Sequence, residues 1–339
     1  MKTRDAVFSE LTQPHTADGF VSGEDLAARC GISRQAVWKA VNALRAHGAV
    51  IEAVTNRGYH LAGTGSMLSP EGVLALVKPE FGVKVKVFDT IDSTNSEAKR
   101  RCAESGGVRG LNASVIIAEQ QTAGRGRLGR AFFSPPGTGL YLSIIYVPEG
   151  GVKSPAVLTA SAAVGVCRAL KTVYGIDAQI KWVNDVFYRG KKICGILAEG
   201  MTNFETGCID SAVVGMGINI LPGSFPSELS EVAGTVLDDE RADSKRCLLA
   251  AEVVNSVLGI YTAGPEGFLR SMQEYRGRSL LTGRTVIVSP VIDQTEKQYT
   301  AVVETVTDEA RLVVRTSDGQ IRTLESGEVT LRSDRIALR

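Results

Sequence analysis

The sequence predicts an α+β chain of several domains: a helical N-terminal module ending in a hairpin, a central mixed sheet with helices, and a small C-terminal β-barrel. Three observations predict it. The first sixty residues read as short helices followed by two strands. From about residue 84 to 220, apolar strands alternate with helices. From Gly283 the texture changes to short alternating strands. With 339 residues the chain has room for two or three domains, and the boundaries fall at 1–65, 66–280 and 281–339.

Composition narrows the function. Hydrophobic residues make up 44% of the chain and charged residues 22%, as expected of an ordinary packed core. A net charge of +1 means that any nucleic-acid contact must come from local clustering. Six cysteines are scattered without a C-x-x-C pair, which reads as reduced thiols in a cytoplasmic protein and not as a disulfide framework or zinc site. The charged opening Met1-Lys-Thr-Arg-Asp-Ala leads into a helical pattern and predicts no secretory leader. The uncharged run from Ala131 to Pro148 contains Pro135, Pro136, Gly137 and Gly139. It therefore reads as a strand pair, and no membrane partner is expected. All three histidines (15, 47 and 60) lie in the first sixty residues, so chemistry elsewhere must do without a histidine base or ligand.

In the N-terminal module, Thr3 to Thr12 has a short helical pattern. Ser22-Gly-Glu-Asp25 is a helix start, running to about Cys30. Gly31-Ile32-Ser33 makes a tight turn, and Ser33 caps a helix from Arg34 to about His47. At 100° per residue, Ala36, Val37, Ala40, Val41, Ala43 and Leu44 share one side, while Arg34, Gln35, Trp38, Lys39, Asn42 and Arg45 share the other. Such a polar face suits a recognition helix in a DNA major groove. A hairpin with its tip at Asn56-Arg57-Gly58 completes a winged-helix pattern. The candidate DNA contacts are Ser33, Arg34, Gln35, Trp38, Lys39, Asn42, Arg45 and Arg57; the plain alternative is a helical interaction module with a solvated basic face. Trp38 could touch the DNA backbone or pack on a neighbouring domain. Gly63 to Ser66 reads as a linker, and Ser69-Pro70-Glu71 starts a short helix.

The central region holds the candidate chemistry. Lys84 to Asp89 alternates like a strand. Ser93 and Thr94 then place hydroxyls and helix-start N–H groups at its end, where anions bind; ordinary capping is the alternative. A strand over Ala113–Glu119 leads to Gly124-Arg-Gly-Arg-Leu-Gly-Arg130. Gly124, Gly126 and Gly129 allow a backbone nest, and Arg125, Arg127 and Arg130 add charged forks, so the stretch suits a polyanion. A flexible basic surface turn is the alternative. The glycine spacing matches a dinucleotide fingerprint, but Ala131 to Gly139, with two prolines and two glycines, cannot open the helix that fingerprint requires.

Gly139–Tyr146 reads as a strand and Ser154–Tyr174 as a long buried helix. Next come two antiparallel strands, Gln179 to Tyr188 and Lys191 to Glu199, joined at Arg189-Gly190. Alternation puts Lys181, Val183 and Asp185 on one face. A two-residue turn pairs Phe187 with Lys192 and brings Lys192 within side-chain reach of Asp185. Gly195 leaves room for a ligand. Ser211–Ile220 reads as a strand, 221–236 as a candidate ligand-ordered loop, and Ser244–Thr262 as a helix. Strands are expected over Arg284–Ser289, Tyr299–Val306, Arg311–Thr316, Gln320–Leu324 and Glu328–Leu331.

Together, Ser93-Thr94-Asn95, Gln121 before the Gly124–Arg130 loop, Lys181-Trp182-Val183-Asn184-Asp185, Lys192-Ile-Cys-Gly-Ile-Leu and Gly215-Met-Gly-Ile-Asn219 resemble a biotin protein ligase of the bifunctional type that also represses biotin synthesis. The resemblance covers nearly the whole chain. Val183 departs from the family's usual proline, and Phe132 stands where tryptophan is common.

The resemblance implies a ligase core of the class II synthetase/biotin ligase type and an Src-homology-3-like barrel. It implies that biotin attacks the α-phosphate of ATP to give biotinyl-5′-AMP, and that a lysine of the biotin carboxyl carrier protein then takes the biotinyl group. Ser93, Thr94, Asn95, Gln121, Arg125, Gly126, Arg127 and Lys192 would contact biotin or its adenylate. Lys192, Asp185, Arg125 and Arg127 would serve the chemistry, with Asp185 a candidate Mg²⁺ ligand. Gly124, Gly129, Arg130, Phe132, Lys181, Trp182, Asn184, Gly195 and Asn219 are further ligand-site candidates. The adenylate would favour a homodimer that binds a two-fold operator DNA. A lipoate ligase and a non-catalytic, nucleotide-sensing regulator are the alternatives.

Overall fold

The structure, a computed structural model, describes residues 3–13, 19–46, 49–63, 67–104, 108–152, 154–202, 209–223, 225–229, 231–239, 245–289, 298–325 and 328–331. The N-terminal part folds as α1 (Thr3–Leu11), α2 (Gly23–Cys30), α3 (Arg34–Ala46), β1 (Val50–Val54) and β2 (Gly58–Gly63). Ser22 Oγ accepts the Asp25 N–H at 3.0 Å, and Gly31 ends α2 at φ 65°, a left-handed value that favours glycine. Ser33 Oγ accepts the Ala36 N–H at 3.2 Å and so starts α3 where the sequence places it. Val7, Phe8, Leu26, Val37, Val41 and Leu44 form the buried core of this part. β1 and β2 pair antiparallel around the Asn56–Gly58 tip, giving the expected helix–turn–helix and wing.

The central part contains α4 (Pro70–Leu74), β3 (Lys84–Ile91), α5 (Thr94–Glu104), β4 (Ser114–Gln121), β5 (Gly139–Tyr146), α6 (Pro155–Tyr174), β6 (Gln179–Lys181), β7 (Asp185–Tyr188), β8 (Lys191–Thr202), β9 (Ile209–Asn219), α7 (Arg246–Thr262) and α8 (Gly264–Gly277). Its seven strands form one mixed sheet in the order β3-β4-β5-β9-β8-β7-β6, in which β3–β4 is the parallel pair. Helices α6, α7 and α8 pack together on one face, over Leu140, Leu142, Ile144, Val214 and Met216. Helix α5 covers part of the other face through Ala98 and Cys102, against Ile116, Ile145 and Val213. By length and composition α6 could cross a membrane, but most of it is buried within this core.

The C-terminal strands β10 (Thr285–Ser289), β11 (Tyr299–Val306), β12 (Leu312–Thr316), β13 (Ile321–Leu324) and β14 (Glu328–Leu331) form an antiparallel sheet in the order β13-β12-β11-β10-β14. Among the described residues β13 and β14 do not pair, so the sheet is not closed into a ring. Its buried residues, among them Val286, Val303, Leu312 and Val314, are continuous with the central core.

Several expectations need correction. Residues 179–188 are not one strand: Trp182–Asn184 turn the chain, the Trp182–Val183 peptide is cis, and β6 pairs back on β7 with Lys181 opposite Asp185. Lys181 and Asp185 do share a face, but across a hairpin; Val183 leaves the pattern for the buried turn. The 131–148 run supplies one strand, β5, preceded by a loop in which Ala131 bridges to Arg125. Helix α8 had no counterpart in the sequence reading, because Gly264, Pro265 and Gly267 disguise its first turn. The linker falls largely on residues 64–66, outside the described residues.

Candidate active site

A cleft of about 220 Å³ opens at the ends of β3 and β4, between the Gly124–Arg130 loop, the start of α5 and strands β7 to β9. The loop closes on itself. Gly126 N–H donates to the Arg130 carbonyl at 2.7 Å, and Phe132 N–H donates to the Gly124 carbonyl at 2.8 Å. A Cβ at Gly124 would lie 2.4 Å from the Phe132 carbonyl oxygen, so the two strands of the loop can meet only at a glycine. Leu128 and Gly129 turn the tip at φ 56° and 74°. Arg125 Nη2 lies 3.3 Å from Glu199 Oε1. Arg127 Nη1 donates to Asn184 Oδ1 at 3.2 Å, and Asn184 Nδ2 in turn donates to the Ile196 carbonyl at 3.0 Å.

One end of the cleft is polar yet closed to solvent, with Ser93, Thr94 and Asn95 all buried. Gln121 Oε1 accepts from the Thr94 N–H at 2.9 Å and from its hydroxyl at 3.1 Å, while Gln121 Nε2 donates to Ser134 Oγ at 2.8 Å. Ser143 Oγ stands 2.6 Å from Asn95 Oδ1 and 2.7 Å from Thr94 Oγ1, so its single proton serves one of them at a time. A Cβ at Gly215 would lie 2.1 Å from Asn95 Oδ1, and one at Gly217 would lie 2.4 Å from the Phe132 ring. Two side-chain-free positions of β9 thus make the space that Asn95 and Phe132 occupy.

At the other end, Lys192 Nζ lies 2.6 Å from Asp185 Oδ1, with the two side chains 30% and 22% exposed. Phe187 pairs with Lys192 as expected. A bulge between Val186 and Phe187 then places Asp185 opposite Gly195, the arrangement that brings the two charges together. The main chain of Lys192 is also held: its N–H donates to the Val232 carbonyl at 2.9 Å, and its carbonyl accepts from Gly234 N–H at 2.8 Å. The 221–236 segment is therefore attached to the lysine. Trp182 is buried, and its indole N–H donates to the Ala310 carbonyl at 2.8 Å, fastening the β6–β7 turn to the C-terminal sheet.

The cleft is basic: Arg125, Arg127, Arg130, Lys181 and Lys192 line it, against the carboxylate of Asp185. Such a wall suits phosphate oxygens. Neighbouring Cys194 is fully buried, and burial pushes its thiol well above the usual range, so it is no thiolate nucleophile. An ionised carboxylate substrate needs no base, and the charge arriving with a nucleotide is what this wall can stabilise.

Fifteen of the expected ligand-site residues line the cleft: Ser93, Thr94, Asn95, Gln121, Arg125, Gly126, Arg127, Arg130, Phe132, Lys181, Trp182, Asn184, Asp185, Lys192 and Gly195. Gly124 and Gly129 shape the loop without lining the cleft. Asn219 lies off it, pairing with Gly139 at the end of β9. The sequence reading missed Leu128, Ala131, Ile196, Leu197, Gly215, Met216, Gly217 and Val329 as lining residues. The Gly-Met-Gly alternation held the signal for three of them, since alternate glycines clear one face of a strand. In the winged helix, Ser33, Arg34, Gln35, Lys39 and Trp38 are exposed and Asn42 is half-buried. Trp38 is 57% exposed, so it is not packed away against a neighbouring domain. Arg45 turns back instead, donating to the Ile51 carbonyl at 2.6 and 3.0 Å, and Arg57 stacks 4.1 Å from the Phe20 ring.

Comparison with known proteins bears on this geometry. The bifunctional ligase/repressor BirA of Salmonella typhimurium is 30% identical to the chain over 94% of its length and 95% of that protein's. The chain belongs to the BirA family. BirA of Bacillus subtilis is 34% identical over 63% of the chain, a match that spans 65% of the Bacillus protein. Residues 88–219 match the biotin/lipoate A/B protein ligase family, and residues 15–60 match an HTH domain. Among solved structures, the biotin protein ligase from Aquifex aeolicus in complex with biotin and ATP superposes with a TM-score of 0.58. It shares 26% identity over 74% of this chain and 98% of that one. The BirA family match and the cleft converge on the same residues, because the segment from 88 to 219 contains every cleft-lining residue except Val329.

Proposed function

We propose that this BirA-family chain is an ATP-dependent biotin protein ligase and a biotinyl-AMP-dependent repressor. In the ligase reaction the biotin carboxylate attacks the α-phosphate of ATP, releasing pyrophosphate and forming biotinyl-5′-AMP. The ε-amine of a carrier-protein lysine then attacks the acyl carbon, and AMP leaves. The observation that carries this reading is the convergence of Arg125, Arg127 and Lys192 on one cleft whose far end is a buried, neutral polar pocket. Ser93, Thr94, Asn95 and Gln121 would hold the uncharged end of biotin. The arginines and Lys192 would stabilise negative charge on the phosphates.

Mg²⁺ would travel with ATP. Among the described residues no group of three or more His, Cys, Asp or Glu could hold a metal, so a cage made of protein alone is not formed. Asp185 fits the lesser demand of one carboxylate beside the phosphates, where the ion would neutralise phosphate charge.

The exposed α3 face, with Arg34, Gln35, Trp38 and Lys39, would enter the major groove of operator DNA, and two copies joined when the adenylate is bound would read a two-fold site. A cytoplasmic setting accords with the five described cysteines, which are all free. Pyrophosphate release from ATP, measured with biotin and separately with lipoate in the absence of carrier and DNA, tests the ligase half. Biotin-dependent release with a retained adenylate is expected. Lipoate-dependent release would move the chain to a lipoate ligase, and no release with either acid would favour a sensor without catalysis. Dimer affinity that is equal with and without the adenylate would remove the repressor mechanism.

A further inference from the structure

Glu199 lies outside the cleft lining, yet three residues of the cleft region meet on its carboxylate. It sits on β8, paired with Val213 of β9, and its side chain is 17% exposed. Oε2 accepts from Asn95 Nδ2 at 2.9 Å. Oε1 receives Lys99 Nζ at 3.0 Å and faces Arg125 Nη2 at 3.3 Å. Asn95 and Lys99 stand one turn apart on α5, while Arg125 comes from the glycine–arginine loop. One buried anion therefore ties the helix that floors the cleft to the loop that walls it.

Burial opposes the charge on Glu199. The hydrogen bonds from Asn95 and Lys99, and the positive charges of Lys99 and Arg125, outweigh it and hold the carboxyl below its usual range. The group is therefore an anion at neutral pH, able only to accept hydrogen bonds. That fixes the Asn95 amide. Its nitrogen must face Glu199, and its oxygen must face the Ser143 hydroxyl, 2.6 Å away, above the space left by Gly215. A neutral acceptor–donor group in the same place would permit either orientation.

We infer that Glu199 is a positioning residue for the first half-reaction, orienting the Asn95 amide and holding the Arg125 side chain at the cleft wall before substrate arrives. It touches no substrate itself; it acts through Asn95 and Arg125, and it rests on the biotin ligase reading given above. The test is steady-state pyrophosphate release by the full chain, comparing wild type, Glu199→Gln, Asn95→Ala and the double variant. Glu199→Gln keeps the volume and removes the charge.

Loss of a charge-assisted hydrogen bond predicts a biotin KM raised about tenfold or more, with kcat changed by less than about threefold. If Glu199 works through Asn95, adding Glu199→Gln to Asn95→Ala raises the biotin KM by less than about threefold further. An unchanged biotin KM in Glu199→Gln, or effects that multiply in the double variant, overturns the inference. Should Glu199→Gln fail to fold, Glu199→Asp is measured instead: it keeps the charge and withdraws it by one methylene, and it too must raise the biotin KM. Wild-type protein that releases no pyrophosphate with biotin would overturn the ligase reading itself. A wild type that is active beside a Glu199 variant of unaltered KM would overturn only the role of Glu199.

Discussion

Replacing Lys192 with alanine separates a chemical role from a structural one. Its ammonium lies 2.6 Å from Asp185 in a pair that is 30% and 22% exposed. A partly exposed pair of this kind contributes about 1 kcal/mol to folding, which for a chain of this size shifts the melting temperature by roughly 2 °C. Removing one preorganised donor from the developing phosphate charge costs about 3 kcal/mol, or on the order of 100- to 1000-fold in kcat. The two effects therefore differ enough to be told apart. Single-turnover pyrophosphate release with biotin and ATP, run beside thermal melts of the same samples, should show the large loss of rate and the small loss of stability. A rate within about threefold of wild type refutes the catalytic role. A collapse of stability that accounts for the lost rate would make Lys192 a structural residue. Lys192→Arg keeps the charge but spreads it over a planar fork, so it should restore only part of the rate.

Arg246→Ala tests the buried pair with Glu119, in which Arg246 is 3% and Glu119 8% exposed with 2.6 Å between them; leaving that carboxylate without Arg246 should cost about 3–5 kcal/mol in urea unfolding, and a loss below about 1 kcal/mol would contradict it. Lys39→Ala should weaken operator binding and lower its salt slope by about 1 while leaving pyrophosphate release unchanged; an unaltered slope in a salt titration would take Lys39 out of the DNA interface. Acid should weaken the Asp92–Arg100 pair: the hydrogen bond from Arg100 lowers the Asp92 pKa from 3.8 to about 2. Because the folded value lies below the unfolded one, the pair's contribution is complete above about pH 4 and is lost as pH falls through about 2. With both side chains more than a third exposed, the contribution stays under about 1 kcal/mol. Asp92→Asn should therefore be slightly less stable than wild type at pH 6 and indistinguishable from it near pH 2, as followed by chemical denaturation.

The winged helix was legible because its signals are local. Ser22, Gly31 and Ser33 punctuate the helices, and the faces of α3 divide as the 3.6-residue period requires. The Asp185–Lys192 contact was legible because the Arg189-Gly190 turn fixes the register of two adjacent strands. The β6–β7 turn was not, since Lys181 to Asp185 alternates as a strand would, and the turn is held by partners far along the chain: Ala310 for Trp182, and Arg127 for Asn184. Helix α8 was hidden by two glycines and a proline in its first turn, where packing against α6 and α7 outweighs weak local propensity. Glu199 escaped notice for a related reason. Its three partners come from residues 95, 99 and 125, and nothing in the local sequence distinguishes it from an ordinary solvent-facing glutamate.

The core shared by the C-terminal strands and the central sheet decides how the chain can be shortened. Val329 of β14 lines the cleft, the Ala310 carbonyl receives the Trp182 indole, and Arg276 of α8 grips the Val306 carbonyl and Asp308. Excising the last strands would not liberate a minimal enzyme. It would strip one bank from the cleft, strand an indole donor in an apolar setting, and lay open the flank of α8. The tail is masonry of the working site, and efforts to trim this chain for use as a labelling tool should cut from the other end.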